Sequence, residues 1–224
     1  MDAAHGGRQA KDALFDAFAS VARALASGRR AEIIELLAQG ERTVEQVADA
    51  IDQSVANTSH HLRALARAGL VRTRRRGTWV HYSLASEDVA VLWAAVRRVA
   101  AEQVSGIDAL ATAYLGDRSG LVTVGRDELR RRLAAGEVVV VDVRPAAEYG
   151  AGHIPGALNL PVADLADRLD ELPGDVPVVA YCRGPYCVYA DEAVRLLRAA
   201  GRSAARLEDG LPEWRAAGLP VSTG

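Results

Sequence analysis

The chain has two cysteines, and both lie in one loop, Cys182-Arg183-Gly184-Pro185-Tyr186-Cys187. The apolar run before this loop, residues 178–181, predicts a buried strand, and the apolar residues spaced through 190–200 predict a helix after it. Cys182 would then lie at the strand's end, below the N-terminus of the helix. Backbone N–H groups, the helix dipole and Arg183 favour a thiolate there, so the pattern indicates a nucleophilic cysteine. The alternative is a buried thiol that packs as a small hydrophobe.

Strand and helix patterns alternate around this loop from residue 121 onward. Apolar runs predict strands at 121–124, 138–143, near 158, at 176–181 and at 204–207. Amphipathic segments between them predict helices, including 127–135, 162–172 and one at Trp214. Such alternation predicts an α/β fold whose central parallel sheet carries helices on both faces. The ligand site should lie beyond the carboxyl ends of the strands, where Cys182 and the turn at 142–144 both emerge.

Residues 121–224 resemble a single-domain rhodanese, which is a sulfurtransferase. The resemblance rests on the Cys182 loop and on three flanking motifs: Asp142-Val143-Arg144 with Glu148-Tyr149, Gly152-His153-Ile154-Pro155-Gly156-Ala157, and Gly210-x3-Trp214-x3-Gly218-x-Pro220-Val221. It implies that a Cys182 thiolate attacks the outer sulfur of a sulfane donor and becomes a persulfide. A thiol acceptor or cyanide then removes the sulfur. The resemblance implies no cofactor.

The same resemblance implies that the rest of the loop binds the donor, through Arg183, Gly184, Pro185, Tyr186 and Cys187. Arg183 would steer an anionic donor. Arg144 either shares this task or forms an internal ion pair with Asp142 or Glu148. The loop has neither the Lys/Arg-rich form of thiosulfate users nor the Gly/Ser form of mercaptopyruvate users, so the donor stays open. We expect His153 to be structural.

Cys187, at the end of the loop, has two interpretations. Its thiol could reach Cys182 as a redox partner, giving a disulfide or a sulfur-bridged pair. Alternatively it is a cysteine at the start of a helix that packs against the domain. A related fold uses a Cys-x5-Arg loop for phosphatase and arsenate-reductase chemistry, but position 188 here is Val, so the oxyanion-binding arginine is missing.

Length and composition set the general class. The chain has 224 residues, 50% of them apolar, which is enough for two ordinary domains. Two loop cysteines do not make a disulfide framework, and we find neither a signal peptide nor an apolar run long enough to cross a membrane. These features predict a cytoplasmic protein with no membrane partner. The net charge of −2 says little by itself.

The first half of the chain reads as short helices followed by a hairpin. We predict helices at 13–26 and 28–40, a third that begins with the capping box Thr43-Val44-Glu45-Gln46, and a fourth capped by Ser54 and ended by Gly69. The segments 70–74 and 78–84 then predict two strands. The last three of these helices, followed by such a hairpin, form an α+β winged helix-turn-helix domain.

Residues 11–114 resemble the ArsR family of winged-helix repressors. The resemblance rests on Ser59-His60-His61-Leu62-x2-Leu65-x3-Gly69-Leu70-Val71 and Gly77-x-Trp79-Val80-x-Tyr82-x-Leu84. We therefore assign residues 1–10 to a flexible N-terminus, 11–115 to an ArsR-type DNA-binding and dimerisation domain, 116–120 to a linker and 121–224 to the rhodanese-like domain. The implied partner is double-stranded operator DNA.

The predicted DNA surface is basic, because no acidic residue occurs between Asp52 and Glu87. Thr58, Leu62 and Leu65 share the inner face of the fourth helix, which leaves its opposite face for the major groove. The wing tip would reach the DNA backbone or minor groove. The predicted DNA-contact residues are Ala56, Asn57, Ser59, His60, Arg63, Arg67, Arg74, Arg75 and Arg76. For His61, helix packing is at least as good an interpretation.

A long amphipathic helix is predicted at 87–114. Its apolar stripe exceeds what one small domain needs, and the resembled family forms homodimers through a helix at this position, so we expect a homodimer. The alternative is a rigid spacer packed on its own rhodanese domain. The first 120 residues contain no cysteine and this helix no histidine, so the thiolate and Asp/His metal sites of the family's metal sensors are absent and no metal is expected.

Together these patterns predict a regulator, most simply a repressor, whose rhodanese domain carries sulfane sulfur on Cys182 and senses reactive sulfur. A second hypothesis is an active sulfurtransferase whose DNA-binding half only controls its own operon. A third, an inert interaction module, is disfavoured by the intact Cys182 loop.

Overall fold

The computed structural model describes residues 3–224, with side chains from residue 7 onward. It contains two compact units, Met1–Trp93 and Ala94–Gly224. Of the flexible terminus predicted at 1–10, residues 1–2 lie outside the described part, and the first helix already begins at Ala3. Along the chain, the boundary between the two units falls between Trp93 and Ala94, ahead of the predicted linker at 116–120, and the predicted domain boundaries stay a prediction. Within the described residues, every helix is too short or too polar to cross a membrane.

The first unit is a winged helix-turn-helix. Its helices are α1 (Ala3–Leu25), α2 (Gly28–Leu37), α3 (Val44–Ala50), α4 (Val55–Arg67) and the beginning of α5 (Glu87–Gln103). The capping box at α3 is confirmed: Thr43 Oγ1 accepts from the Gln46 N–H at 3.4 Å, and Gln46 Oε1 accepts from the Thr43 N–H at 2.9 Å. Ser54 Oγ accepts from the Asn57 N–H at 3.2 Å, as the sequence predicts for the start of α4.

The wing is an antiparallel hairpin of β2 (Val71–Arg76) and β3 (Trp79–Leu84), with Arg76 opposite Trp79. Gly77 has φ 60°, a backbone conformation that side chains disfavour, so this tight turn requires glycine. A third strand, β1 (Arg42–Thr43), pairs with β3 and was not predicted, because two residues are too short to show a pattern. The core of this unit includes Ile33, Ile34, Val47, Leu62 and Leu65.

The prediction of one continuous helix at 87–114 is wrong, because the segment is divided in two. The structure has two helices, α5 and α6 (Ile107–Leu115). Gly106 lies between them with φ 86°, outside the right-handed helical region, so the helix ends and restarts there. The apolar periodicity continued across the break, and for that reason the pattern alone did not reveal it.

The second unit is an α/β domain with a five-stranded parallel sheet, as predicted. Its strands are β4 (Thr123–Val124), β5 (Val139–Asp142), β6 (Leu158–Asn159), β7 (Val178–Tyr181) and β8 (Ala204–Leu207). They lie in the order β4-β8-β7-β5-β6, which places β7 at the centre. Successive side chains of β7 point to opposite faces: Val179 and Tyr181 pack in one core cluster, and Ala180 packs with Cys182 in the other.

Helices cover both faces of this sheet. They are α7 (Arg126–Ala134), α8 (Ala146–Ala151), a 3₁₀ helix (Leu165–Glu171), α9 (Val188–Ala199) and α10 (Leu211–Ala216). The sequence predicted an ordinary helix at 162–172, whereas the structure has a 3₁₀ helix interrupted at Arg168, whose φ of −121° is not helical. Leu165 at its start and Leu172 just after its end are both buried.

Candidate functional site

Cys182 directly follows the central strand β7, and Cys187 is the N-cap of α9. The loop between them is closed by a hydrogen bond from the Cys187 N–H to the Gly184 carbonyl at 3.2 Å. A second bond, at 3.4 Å, runs from the Leu211 N–H to the Cys182 carbonyl. Cys182 is 1% exposed. The strand, the loop and the helix therefore position the cysteine at the carboxyl end of the sheet, where the sequence predicted a ligand site.

The structure joins Cys182 and Cys187 in a disulfide, with their Cα atoms 6.3 Å apart. This is the first of the two interpretations that the sequence left open for Cys187. Cys187 also packs against the core cluster that contains Cys182, so the second interpretation describes part of its environment. The loop backbone thus brings the two sulfur atoms together.

The N-terminus of α10 packs against the back of the loop. A Cβ atom built on Gly210 would lie 2.4 Å from the carbonyl carbon of Arg183 and from the Gly184 nitrogen, so only glycine fits there. Glu213 accepts a hydrogen bond from the Gly210 N–H at 3.1 Å and fixes this turn. The sequence marked Gly210 as part of a family motif, and the close approach of two backbones gives it a physical role.

The structure pairs both arginines that were expected to bind the donor. Arg144 is fully buried, and its Nε donates to Asp142 Oδ1 at 2.9 Å, which is the internal ion pair that the sequence left as an alternative. Arg183 donates to both carboxylate oxygens of Glu148, at 3.0 and 2.6 Å. Burial opposes the charge of Arg183, but the hydrogen bonds and attraction of Glu148 outweigh it and raise the pKa of Arg183. Both guanidiniums are therefore paired with carboxylates of the same domain.

Two other arginines, which the sequence did not single out, hold the loop. Arg118 Nη1 and Arg206 Nη2 donate to the Pro185 carbonyl at 2.9 and 3.3 Å. Both guanidiniums also contact Asp191, at 2.5 Å from Arg118 and 3.1 Å from Arg206, and this carboxylate is fully buried in the first turn of α9. Burial, followed by repulsion from Arg118, lowers the pKa of Arg206. Two positive charges therefore share one carboxylate beside the loop.

One sequence signal could have revealed this cluster. Asp191 lies among Ala190, Ala193 and Val194, which form the buried face of α9. An acidic residue on the inner face of an amphipathic helix requires a buried partner. The sequence does not show which arginines supply the partner, because Arg118 and Arg206 lie far away along the chain.

The recognition helix α4 presents the predicted face to solvent. Thr58, Leu62 and Leu65 are buried. The predicted contact residues on the opposite face are exposed, apart from Ser59, which is half-buried; they are Ala56, Asn57, His60, Arg63 and Arg67. His61 is half-buried, and burial together with Arg30 lowers its pKa, which agrees with helix packing.

An acidic residue, Glu41, lies at the wing, although it is distant from the wing in sequence. Arg74 and Arg76 each place Nη2 close to the carboxylate of Glu41, at 2.7 and 2.8 Å. Glu41 precedes β1 and lies outside the acid-free stretch, so only the fold brings it to the wing. The hydrogen bond from Arg74 lowers the pKa of Glu41. The third wing arginine, Arg75, donates to the Gly77 carbonyl at 3.1 Å.

Large apolar side chains are exposed on three helices. On α1 they are Leu14, Phe15 and Phe18, with exposed fractions of 51%, 60% and 62%. On α5 and α6 they include Leu92, Val96, Val99, Leu110 and Tyr114. Among the described residues, no group of three or more histidine, cysteine or acidic side chains could hold a metal ion.

Each half of the chain matches the model of a known protein family. Residues 27–73 match the model of the bacterial regulatory protein, arsR family, and residues 125–217 match the rhodanese-like domain. The HTH-type transcriptional regulator Rv0324 of Mycobacterium tuberculosis is 53% identical over 219 residues, which cover 98% of this chain and 96% of that protein.

Two further proteins match one half each. A sulfurtransferase of Allochromatium vinosum is 37% identical over 99 residues, 44% of this chain and 92% of that protein. A solution structure of the homodimeric winged helix-turn-helix DNA-binding domain of Mb0332 from Mycobacterium bovis is 49% identical, covers 42% of this chain and 88% of that one, and has a TM-score of 0.41. With an arsR-family domain, a rhodanese-like domain and a relative that matches nearly all of the chain, this chain belongs to the HTH-type transcriptional regulators of the ArsR family that carry a C-terminal rhodanese-like domain.

Proposed function

We infer that this transcriptional regulator is a cytoplasmic repressor that binds operator DNA as a homodimer and responds to reactive sulfur through a persulfide on Cys182. The observation that carries the proposal is that one chain has both an exposed recognition helix and a cysteine loop closed beneath the N-terminus of α9. The recognition helix can bind DNA and the cysteine loop can take up sulfur, so one chain has the parts needed for DNA binding and for a response to sulfur.

Two features of the loop support sulfur uptake. The N-terminal N–H groups of the twelve-residue helix α9 point toward the loop and favour negative charge there. Arg118 and Arg206 bring two positive charges against the single carboxylate of Asp191 at the Pro185 carbonyl. Both features stabilise a thiolate and the terminal anion of a persulfide relative to their protonated forms.

The uptake step is a displacement at sulfur. The Cys182 thiolate attacks the outer sulfur of a persulfide or polysulfide donor, a sulfur–sulfur bond forms, and the donor's own sulfur–sulfur bond breaks. The donor leaves as a thiolate or a shorter polysulfide. Arg183 is paired with Glu148, so we assign the orientation of the donor to the loop backbone of Gly184, Pro185 and Tyr186, with the Arg183 charge acting at longer range.

The exposed face of α4 supports the DNA-binding proposal. Asn57, Ser59, His60 and Arg63 can reach base edges or phosphates in the major groove, and Arg67 with the wing arginines can reach phosphates. The exposed apolar side chains of α1, α5 and α6 support a homodimer, because a second copy would remove them from water. A two-fold dimer would present two recognition helices to the two halves of a palindromic operator.

The test is a titration of the chain's own upstream DNA at one fixed salt concentration, with reduced protein and with protein treated with polysulfide. We expect the treated protein to bind at least about tenfold more weakly, a coupling of about 1.4 kcal/mol. Cys182→Ser should bind the operator with unchanged affinity and lose the response. A full response in Cys182→Ser would rule out sensing through Cys182.

An active sulfurtransferase is a second candidate, favoured by the similarity to the Allochromatium vinosum sulfurtransferase over 92% of that protein. In that case Cys182 would turn over many sulfur atoms without affecting DNA binding. Steady turnover of a sulfur donor, combined with an operator affinity that polysulfide does not change, would support this alternative.

A further inference from the structure

Cys187 has no role in the sulfur-uptake step proposed for Cys182, although it lies in the same loop. It is the last residue of the loop and the N-cap of α9, and its sulfur is bonded to that of Cys182. The Cα separation of 6.3 Å lies within the range that disulfides ordinarily span. The loop between β7 and α9 therefore holds both sulfur atoms in contact.

We propose that Cys187 is the resolving thiol for the Cys182 persulfide. Once Cys182 has taken up a sulfane sulfur, Cys187 attacks it, the loop closes as the Cys182–Cys187 disulfide, and hydrosulfide is released. This step rests on the proposed function, because it requires that Cys182 first takes up sulfur. The stable product of the reaction with reactive sulfur is then the Cys182–Cys187 disulfide.

The step balances without any further reagent. The Cys187 thiolate attacks Sγ of Cys182, which is the inner sulfur of the persulfide, and a new sulfur–sulfur bond forms. The bond between the inner and outer sulfur breaks, and its electron pair leaves with the outer sulfur. The proton given up by the Cys187 thiol goes to that sulfur, directly or through solvent, so that the anionic persulfide and the thiol yield the disulfide and hydrosulfide. The sulfane sulfur is reduced to the level of sulfide while two thiols are oxidised to one disulfide.

The position of Cys187 favours this internal reaction over transfer to an external acceptor. A thiol five residues away in a closed loop acts at high effective concentration. In the disulfide form Cys182 is almost fully buried, so a second molecule would have little access to it once this reaction has closed the loop. Cys187 is also at the positive end of α9, which favours its attacking thiolate.

The attack by Cys187 would convert a short-lived persulfide into a more stable disulfide. The disulfide leaves no thiolate to accept a second sulfur, so each chain would release one hydrosulfide and then wait for a cellular thiol to reduce it. A rhodanese with an unpaired catalytic cysteine can instead turn over continuously. Cys187 would therefore limit this domain to single-turnover signalling.

The test uses the reduced full-length chain, without oxygen, treated with a small excess of inorganic polysulfide and followed by intact mass. We expect the wild type to gain one sulfur transiently and then to end two hydrogens lighter than its reduced form, at a rate independent of protein concentration. Cys187→Ser and Cys187→Ala should stop at the form that is one sulfur heavier. Thermal unfolding of both variants checks that they fold.

The possible failures are distinguishable. If the wild type and both Cys187 variants all keep the added sulfur on Cys182, the resolving role is wrong and the proposed sulfur uptake survives. If the folded Cys187 variants take up no sulfur, the uptake itself is wrong, and resolution falls with it. Untreated wild type kept without oxygen should remain reduced, and its oxidation there would mean that the disulfide forms without sulfane sulfur.

Discussion

The carboxylate of Glu41 accepts hydrogen bonds from Nη2 of Arg74 at 2.8 and 2.7 Å. Glu41 also lies 2.8 Å from Nη2 of Arg76, so one acidic side chain engages two of the three wing arginines. These arginines are the groups that would meet DNA phosphates at the wing. In the proposed DNA complex, a carboxylate at this place would compete with phosphate for the same donors and would repel the DNA backbone.

We therefore expect Glu41→Gln to bind operator DNA about two- to fivefold more tightly, the size of effect that exposed ion pairs have. Its affinity should also fall more steeply with salt, because two more arginines become available to phosphates. The measurement is the DNA titration at two salt concentrations. Glu32→Gln is a matched control, since Glu32 is also exposed but pairs with Arg29 on α2. Identical affinity and salt dependence in Glu41→Gln would contradict the competition.

Local patterns predicted much of this molecule. The capping box at Thr43, the inner face of α4 and the parallel sheet follow from neighbours in sequence or from simple periodicity, and the structure has each of them. The Asp142–Arg144 pair was within reach for the same reason, because its two members are two residues apart.

Contacts between distant segments were not predictable in this way. Glu41 reaches Arg74 across thirty-three positions, and Arg118 reaches Asp191 across seventy-three. Charge pairing at such separations depends on where the fold places each segment, and many arginines in the sequence could have served equally well. The break at Gly106 was missed for a different reason: the apolar stripe continues through it, while the change of backbone conformation rests on a single residue.

The second prediction concerns the recognition helix. Arg63 is exposed on the outer face of α4, and its Nε donates to the Ser59 carbonyl at 3.1 Å. Arg63→Ala should weaken operator binding by about 1–3 kcal/mol, the cost of losing a base or phosphate contact at a helix in the major groove. Binding to unrelated DNA should change less.

Arg29→Ala is the control for this variant, because Arg29 is an exposed arginine of α2 that pairs with Glu32. Equal losses in Arg63→Ala and Arg29→Ala would indicate general electrostatics. An equal loss of Arg63→Ala affinity on operator and unrelated DNA would assign Arg63 to phosphate contact alone.

The third prediction concerns the close approach behind the Cys182 loop. A methyl group on residue 210 would overlap the backbone of Arg183 and Gly184, so the loop or the start of α10 must shift. We expect Gly210→Ala to lower the free energy of unfolding by about 1–3 kcal/mol, the usual cost of overpacking. It should also slow sulfur uptake by Cys182.

Gly174→Ala is the matched control, since a Cβ there meets no atom within 4 Å. Chemical denaturation measures the stability of both variants, and intact mass follows their uptake of polysulfide sulfur. If Gly210→Ala matches Gly174→Ala in both measurements, the packing of α10 does not shape the loop.

The last prediction is a pH dependence at Glu213, which caps the turn behind the loop. Burial raises the pKa of Glu213 above its ordinary value of 4.5, and attraction to the guanidinium of Arg97, with which it is paired, offsets this only in part. A carboxyl whose pKa is raised on folding stabilises the fold below its unfolded pKa. That contribution is lost as pH rises through the folded pKa.

Glu213→Gln cannot ionise, so its stability relative to the wild type should improve as pH rises from 4.5 toward neutrality. Denaturant unfolding at several pH values measures this difference. Glu192→Gln is the control, because Glu192 is exposed on α9 and removal of its charge should leave the slope unchanged. If Glu213→Gln instead loses stability relative to the wild type as pH rises, the ion pair with Arg97 outweighs the cost of burying the Glu213 charge. In that case an ionised Glu213, rather than a neutral carboxyl, stabilises the turn behind the Cys182 loop.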